Sequence, residues 1–196
     1  VLSYIFQKGK CKHCQTKISA FYPFFELLTG ILFALAYIVF GLTPNLIIAL
    51  TFISMLIIII VSDYKYMIIN DEVLIFFGLI LAIEIATIYS FNTLATHIVS
   101  AVLAFLTMFL IKKIGDFLFK KESMGGGDIK LMFIFGLVLG YPMAILSIFV
   151  GSLIGFPISL IMLNKNTEHI IPFGPFLALG AIIILLLQLD LDTIML

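Results

Sequence analysis

The chain has 196 residues, of which 63% are hydrophobic and only 11% charged, with a formal net charge of zero and a mean hydropathy of +1.26. A soluble domain carries about 25% charged residues, so a soluble globular class is excluded and an integral membrane protein is indicated. The balanced charge, with no concentrated basic patch, gives no reason to expect a nucleic-acid partner.

Residues 1–22 form a polar cap that carries Lys8, Lys10, Lys12 and Lys17 and the only two cysteines, Cys11 and Cys14. Seven apolar runs follow, at about 24–42, 45–62, 72–90, 94–114, 128–140, 142–163 and 172–190. A membrane helix needs roughly 20 apolar residues, whereas barrel strands are about 10 residues long and alternate in polarity. The expectation is an all-α polytopic membrane protein with about seven transmembrane helices. It divides into a short N-terminal cytoplasmic cap (1–22) and a membrane-embedded domain (23–196).

The eleven lysines test that count. Besides those in the cap, Lys65 lies between the second and third runs, and Lys112, Lys113, Lys120, Lys121 and Lys130 surround the loop between the fourth and fifth. Lys165 lies between the sixth and seventh. With seven spans every lysine falls on one side, which the positive-inside rule makes the cytoplasm. One span more or fewer would scatter them.

Asp63 ends the second run and Asp128 opens the fifth, after Gly125, Gly126 and Gly127. Two spans separate them, so both reach the same membrane face. Two carboxylates a few ångströms apart do not both ionise easily and share a proton. The ionised one takes a proton from water, while the protonated one hydrogen-bonds a carbonyl under attack. The glycines are expected to permit unusual backbone angles and close approach by a substrate strand. The bland alternative stays open on these residues alone. Asp128 suits a helix N-terminus, and Asp63 suits an interfacial position beside Lys65, whose charge would favour its ionised form. A transporter or channel with boundary carboxylates is a second alternative, although no inverted halves are evident.

Other residues carry weaker expectations. Glu84, in mid-span, is expected to be neutral or to face the bundle interior. Gly136 with Gly140, and Gly151 with Gly155, have the spacing of helix-packing pairs. His97 is expected near the outer interface, and Asp116 and Glu122 as solvated loop charges.

The segment MGGGDIKLMFIFGLVLG (124–140) resembles the second active-site motif of bacterial type IV prepilin peptidases, and DYKYMIINDEV (63–73) resembles their first. KCKHCQTKISAFYPFFELLTG (10–30) is similar to the end of their cytoplasmic cysteine domain, and IIPFGPFLALGA (170–181) to their last-span motif. These segments keep the family's order over nearly the whole chain. The resemblance implies a GxGD aspartic endopeptidase of the cytoplasmic membrane, with its active site at the cytoplasmic face. It would cut the basic leader of prepilins or pseudopilins after a glycine. Asp63 and Asp128 match the catalytic aspartates, Gly125 and Gly127 the GxG glycines, and Lys130, Asp71 and Glu26 other recurrent positions. Proteolysis then needs no cofactor. The methylation that many members perform on the new N-terminus needs S-adenosylmethionine.

Family members begin with a span and a domain that usually holds two CxxC pairs. The chain is therefore expected to begin inside that domain, and an inactive truncated remnant is the remaining alternative. Cys11 and Cys14 are half of a tetrahedral zinc site. No stable zinc is expected in a monomer, although two chains can share one ion. Nothing in the sequence sets an oligomeric state.

Overall fold

A computed structural model describes residues 1–163 and 172–188. Lys165 and the end of the last predicted span lie outside the described residues. A short helix α1 (Leu2–Phe6) is followed by seven longer ones: α2 (Phe21–Phe40), α3 (Pro44–Tyr66), α4 (Asp71–Ile88), α5 (Phe91–Phe119), α6 (Gly126–Leu139), α7 (Tyr141–Leu163) and α8 (Gly174–Leu187). Each predicted run has its helix, and the protein is an all-α polytopic membrane protein. By length and hydropathy, four helices qualify outright as membrane spans: α2, α3, α5 and the Tyr141–Leu160 part of α7. The others are shorter or, in α4, begin with the charged residues Asp71 and Glu72.

Helix ends are written in the sequence. Pro44 opens α3 and Pro175 lies in the first turn of α8, positions where a missing N–H costs nothing. Gly41 and Gly140, at φ +60° and +78°, end α2 and α6. Ser90 caps α5 by accepting the N–H of Thr93.

Contacts fix the direction of each helix. At one end Lys65 of α3 reaches Tyr22 of α2 (3.3 Å), and Lys130 of α6 pairs with Asp71 of α4 at 2.6 Å. At the other end Tyr89 donates to Asn45 (2.7 Å), His97 Nδ1 meets the Leu137 carbonyl (2.6 Å), and Gln188 reaches the Val39 carbonyl. The helices therefore run alternately up and down, and the described lysines gather at the first end. His97 ties α5 to α6 at that end.

α3 is the centre of the bundle. Its buried face, including Phe52, Ile53, Met55, Leu56 and Ile59, packs on α2, α4 and α8. Phe52 also meets Phe135 of α6 edge-to-face at 5.8 Å. Small residues let neighbours close in. A Cβ on Gly136 would lie 2.6 Å from the Ala101 backbone of α5, and one on Gly151 would lie 2.6 Å from the Phe176 carbonyl of α8. Gly155 packs against the Phe176 ring, as its spacing predicts, whereas Gly140 serves as a helix terminator. Glu84 faces the bundle as expected: Thr51 of α3 donates to its Oε1 at 2.8 Å.

Candidate active site

Few ionisable side chains enter this core: among the described residues Glu84 is partly buried and Asp63 and Asp128 are buried. Among the described residues the buried polar or charged side chains are Asp63, Asp128 and Ser147, and each aspartate is only 6% exposed. Ser147 satisfies itself by donating to the Ala144 carbonyl. Asp128 Oδ1 is buried without a hydrogen-bond partner, as is Glu84 Oε2 in mid-bundle. Burying a carboxyl costs several kcal/mol when nothing compensates it, as an order of magnitude, so the packing alone gives no reason for this pair.

Each aspartate is positioned by a helix end. Asp63 stands three residues before the end of α3, and Asp128 lies in the first turn of α6. Asp63 faces the backbone N–H of Gly174, the first residue of α8, and Asp128 faces that of Gly125. Such N–H groups are free because a helix start has no preceding turn to receive them. The two carboxyls lie within electrostatic reach of each other. The sequence expectation that both arrive at one place is met by the fold.

Loop 67–70 follows α3 and leads into α4. Met67, at φ +54°, turns the chain out of α3. The Ser62 hydroxyl then donates to the Ile68 carbonyl and pins the loop. Ile69 lies against Gly127 and Gly174 at once. A Cβ on Gly127 would come 2.7 Å from Ile69 Cβ; one on Gly174 would come 3.1 Å from Ile69 Cδ1 and 2.5 Å from Asp63 Oδ2. Gly127 and Gly174 are glycines for lack of space.

The other sequence candidates divide. Gly125 has φ −66°, and the described glycines with positive φ are Gly9, Gly41 and Gly140. The expected unusual angles in Gly125–Gly127 are therefore not used, because the stretch passes straight into α6. Gly126 faces open space. Lys130 and Asp71 hold each other, joining α6 to α4, and are half exposed. Glu26 is exposed on α2. Lys65 corrects the sequence reading: two residues after Asp63 it points elsewhere, toward Tyr22 and Tyr66, with its amine 5.4 and 5.5 Å from their rings. Asp116 is structural, accepting from the Ser123 N–H and hydroxyl at the α5–α6 loop. Ile69, Ser62 and Gly174 belong to the site and were not singled out from sequence.

Residues 50–160 match the type IV leader peptidase family, and residues 1–40 match the bacterial peptidase A24 N-terminal domain. The chain belongs to the type IV leader peptidase family. It is 38% identical to the prepilin leader peptidase/N-methyltransferase of Bacillus subtilis, over 93% of this chain and 73% of that protein. The proteins of the same name from Neisseria gonorrhoeae and Legionella pneumophila are 34% and 32% identical, and 64% of each is covered. No solved structure matches. As a member of this peptidase family the chain is a protease, and the leader peptidase motifs quoted above now have a structural setting.

The cap holds the remaining candidate chemistry. Cys11 and Cys14 are free thiols in a tight knuckle, closed by Cys11 N–H to the Thr16 carbonyl (2.9 Å) and Gln15 N–H to the Cys11 carbonyl (3.0 Å). Hydrogen bonds from the Thr16 side chain and backbone lower the Cys14 thiol from 9.0 to about 7. Among the described residues no group of three or more metal-ligating side chains converges. Two thiols fill half of a tetrahedral site and by themselves do not fit a structural zinc.

Proposed function

We propose that the chain is an aspartic endopeptidase in which Asp63 and Asp128 together cut the basic leader from prepilins or pseudopilins, after a glycine, at the cytoplasmic face of the bacterial membrane. The observation that carries this is the buried pair: two carboxyls on different helices lie within electrostatic reach of each other inside an apolar bundle, and one of them has an oxygen without a partner. The family's relatives are named as prepilin leader peptidases, which supports the substrate class.

The chemistry follows from the pair. One aspartate is ionised and the other holds a proton. The ionised group takes a proton from a water between them, and the water oxygen bonds to the scissile carbonyl carbon. The protonated group hydrogen-bonds the carbonyl oxygen in the transition state. The carbon–nitrogen bond then breaks, and the departing amine collects a proton from the pair. A carboxylate away from bulk water acts in a low-dielectric setting, where each such interaction is stronger. The substrate's apolar helix would lie among the bundle's helices and present its polar junction at the lysine-bearing end. The lipid bilayer is the other partner.

The relatives' names also carry N-methyltransferase. In the proposal this second activity draws on S-adenosylmethionine and acts on the amine released by the first.

A cleavage assay tests the reading. The chain in nanodiscs is mixed with a prepilin whose basic leader ends in glycine, and products are weighed by mass spectrometry. Loss of the leader mass, abolished in both Asp63→Asn and Asp128→Asn, is the expected result. An added methyl reports the transfer. Cleavage that survives either substitution would overturn the assignment of the pair, and no cleavage by the unaltered chain would overturn the activity.

A further inference from the structure

The Ile69 side chain packs against Gly127, the residue before Asp128, and against Gly174, whose N–H faces Asp63. That side chain fills the positions where both glycines would carry a Cβ, at 2.7 Å and 3.1 Å, and the same Gly174 position lies 2.5 Å from Asp63 Oδ2. Ile69 therefore lies against the glycine that precedes Asp128 and against the glycine that faces Asp63. It does not swing aside easily. Branching at Cβ leaves it few side-chain rotamers, the Ser62 hydroxyl holds the neighbouring Ile68 carbonyl, and Met67 fixes the turn before it.

We propose that Ile69 is the specificity-determining residue that makes the enzyme demand glycine on the amino-terminal side of the cut bond. The inference rests on the peptidase reading above and deepens it. A carbonyl presented to the aspartate pair brings its own Cα with it, about 1.5 Å from the carbonyl carbon. A Cβ on that Cα, turned toward Ile69, meets its side chain, while Gly127 and Gly174 have already given up their own Cβ atoms to the same crowding. A substrate glycine has nothing to collide. The requirement is thus a matter of volume, set by one isoleucine on the α3–α4 loop.

The test uses two prepilin substrates that differ only in glycine or alanine before the cut, and compares kcat/KM for each with the unaltered chain, Ile69→Val and Ile69→Ala in nanodiscs. The expected result is a rise in the alanine-to-glycine ratio of at least about tenfold in Ile69→Ala, the usual worth of one methylene-sized group in a fitted pocket, and a smaller rise in Ile69→Val. A ratio that stays at the unaltered value in both variants overturns the proposal. A purely structural role would lower both substrates together and leave the ratio alone, and partial unfolding cancels in the same way. Should Ile69→Ala not fold, Ile69→Val carries the same comparison. The peptidase reading fails separately, through absence of glycine-substrate cleavage or its persistence in Asp63→Asn, and that failure takes this proposal with it.

Discussion

Gly174 is held by steric demand from a carboxyl group. An added methyl would stand 2.5 Å from Asp63 Oδ2 and 3.1 Å from Ile69 Cδ1. The short aspartate side chain has to turn away from the N–H that it faces. Since a displacement of about 1 Å at a reacting group can cost about a hundredfold in rate, Gly174→Ala is expected to lower kcat by about that factor. The cleavage assay checks it, and activity within threefold of the unaltered chain would show that Asp63 does not depend on this contact. Cys14 gives a second residue-scale prediction. With its thiol lowered to about 7, the thiolate is the minor form below that pH and the major form above it. In chelator-treated protein, alkylation of Cys14 should rise with pH through a midpoint near 7 and level off by about pH 8, because the thiolate is the reacting species. Thr16→Val removes one hydrogen-bond donor and should move the midpoint upward. A midpoint near 9 in the unaltered chain would contradict the knuckle geometry. At this scale the sequence misled in one place. Lys65, two residues beyond Asp63, is turned some 200° around a helix of 3.6 residues per turn, and residues so spaced do not face each other.

Two short helices deliver the site, and their starts obey different constraints. α6 and α8 have 14 residues each, about 21 Å at 1.5 Å per residue, against a hydrocarbon core about 30 Å thick. They cannot cross it as helix alone. Residues 120–125 before α6 and 172–173 before α8 are non-helical, and they bring Gly125 and Gly174 to the carboxyls. In the glycine run, only Gly127 meets a neighbour too close for a side chain, Ile69 at 2.7 Å, while Gly126 has open space. Gly126→Ala is therefore expected to leave thermal stability in detergent unchanged or raise it by up to about 1 kcal/mol, the helix advantage of alanine. Gly127→Ala should lose about 1–3 kcal/mol through overpacking. Gly136→Ala should lose at least as much, because the atoms 2.6 Å away are the α5 backbone and cannot rotate aside. Equal melting temperatures for Gly126→Ala and Gly127→Ala would refute the assignment. The helices themselves were legible in the sequence because an apolar run is a local signal: Phe91–Phe119 and Tyr141–Leu163 need no partner to be recognised. Ile69 was not legible. An isoleucine in a loop carries no chemical sign, and its role exists only once α3, α6 and α8 have packed around it. Gly174 was quoted within a motif, and the prolines around it announced a helix start, but nothing local said that Asp63 would stand over it.

The whole molecule turns these pieces into a directional device. Alternating helices put Lys65, Lys112, Lys113 and Lys130 at one end, together with the starts of α6 and α8 and the aspartate pair, while Asn45, Tyr89 and His97 mark the other. The sequence foretold that convergence from parity alone, since two spans between Asp63 and Asp128 return the chain to the face it left. It could not foretell which helices would touch, because α3, α6 and α8 are far apart in sequence and each is apolar nearly all round. Lysines cost more to carry across a bilayer than to leave in the cytoplasm, so the lysine-bearing end should be cytoplasmic. Cys11 and Cys14 sit in the cap before α2, on that same end, and therefore serve as native reporters. In intact cells a membrane-impermeant maleimide should leave both thiols unlabelled, and permeabilisation should expose them. In a Cys11→Ser, Cys14→Ser background, Asn92→Cys at the start of α5 should label from outside without permeabilisation, and Glu122→Cys should not. The reverse pattern would put the aspartate pair on the outer face, where a substrate arriving from the cytoplasm with a basic leader would not meet it.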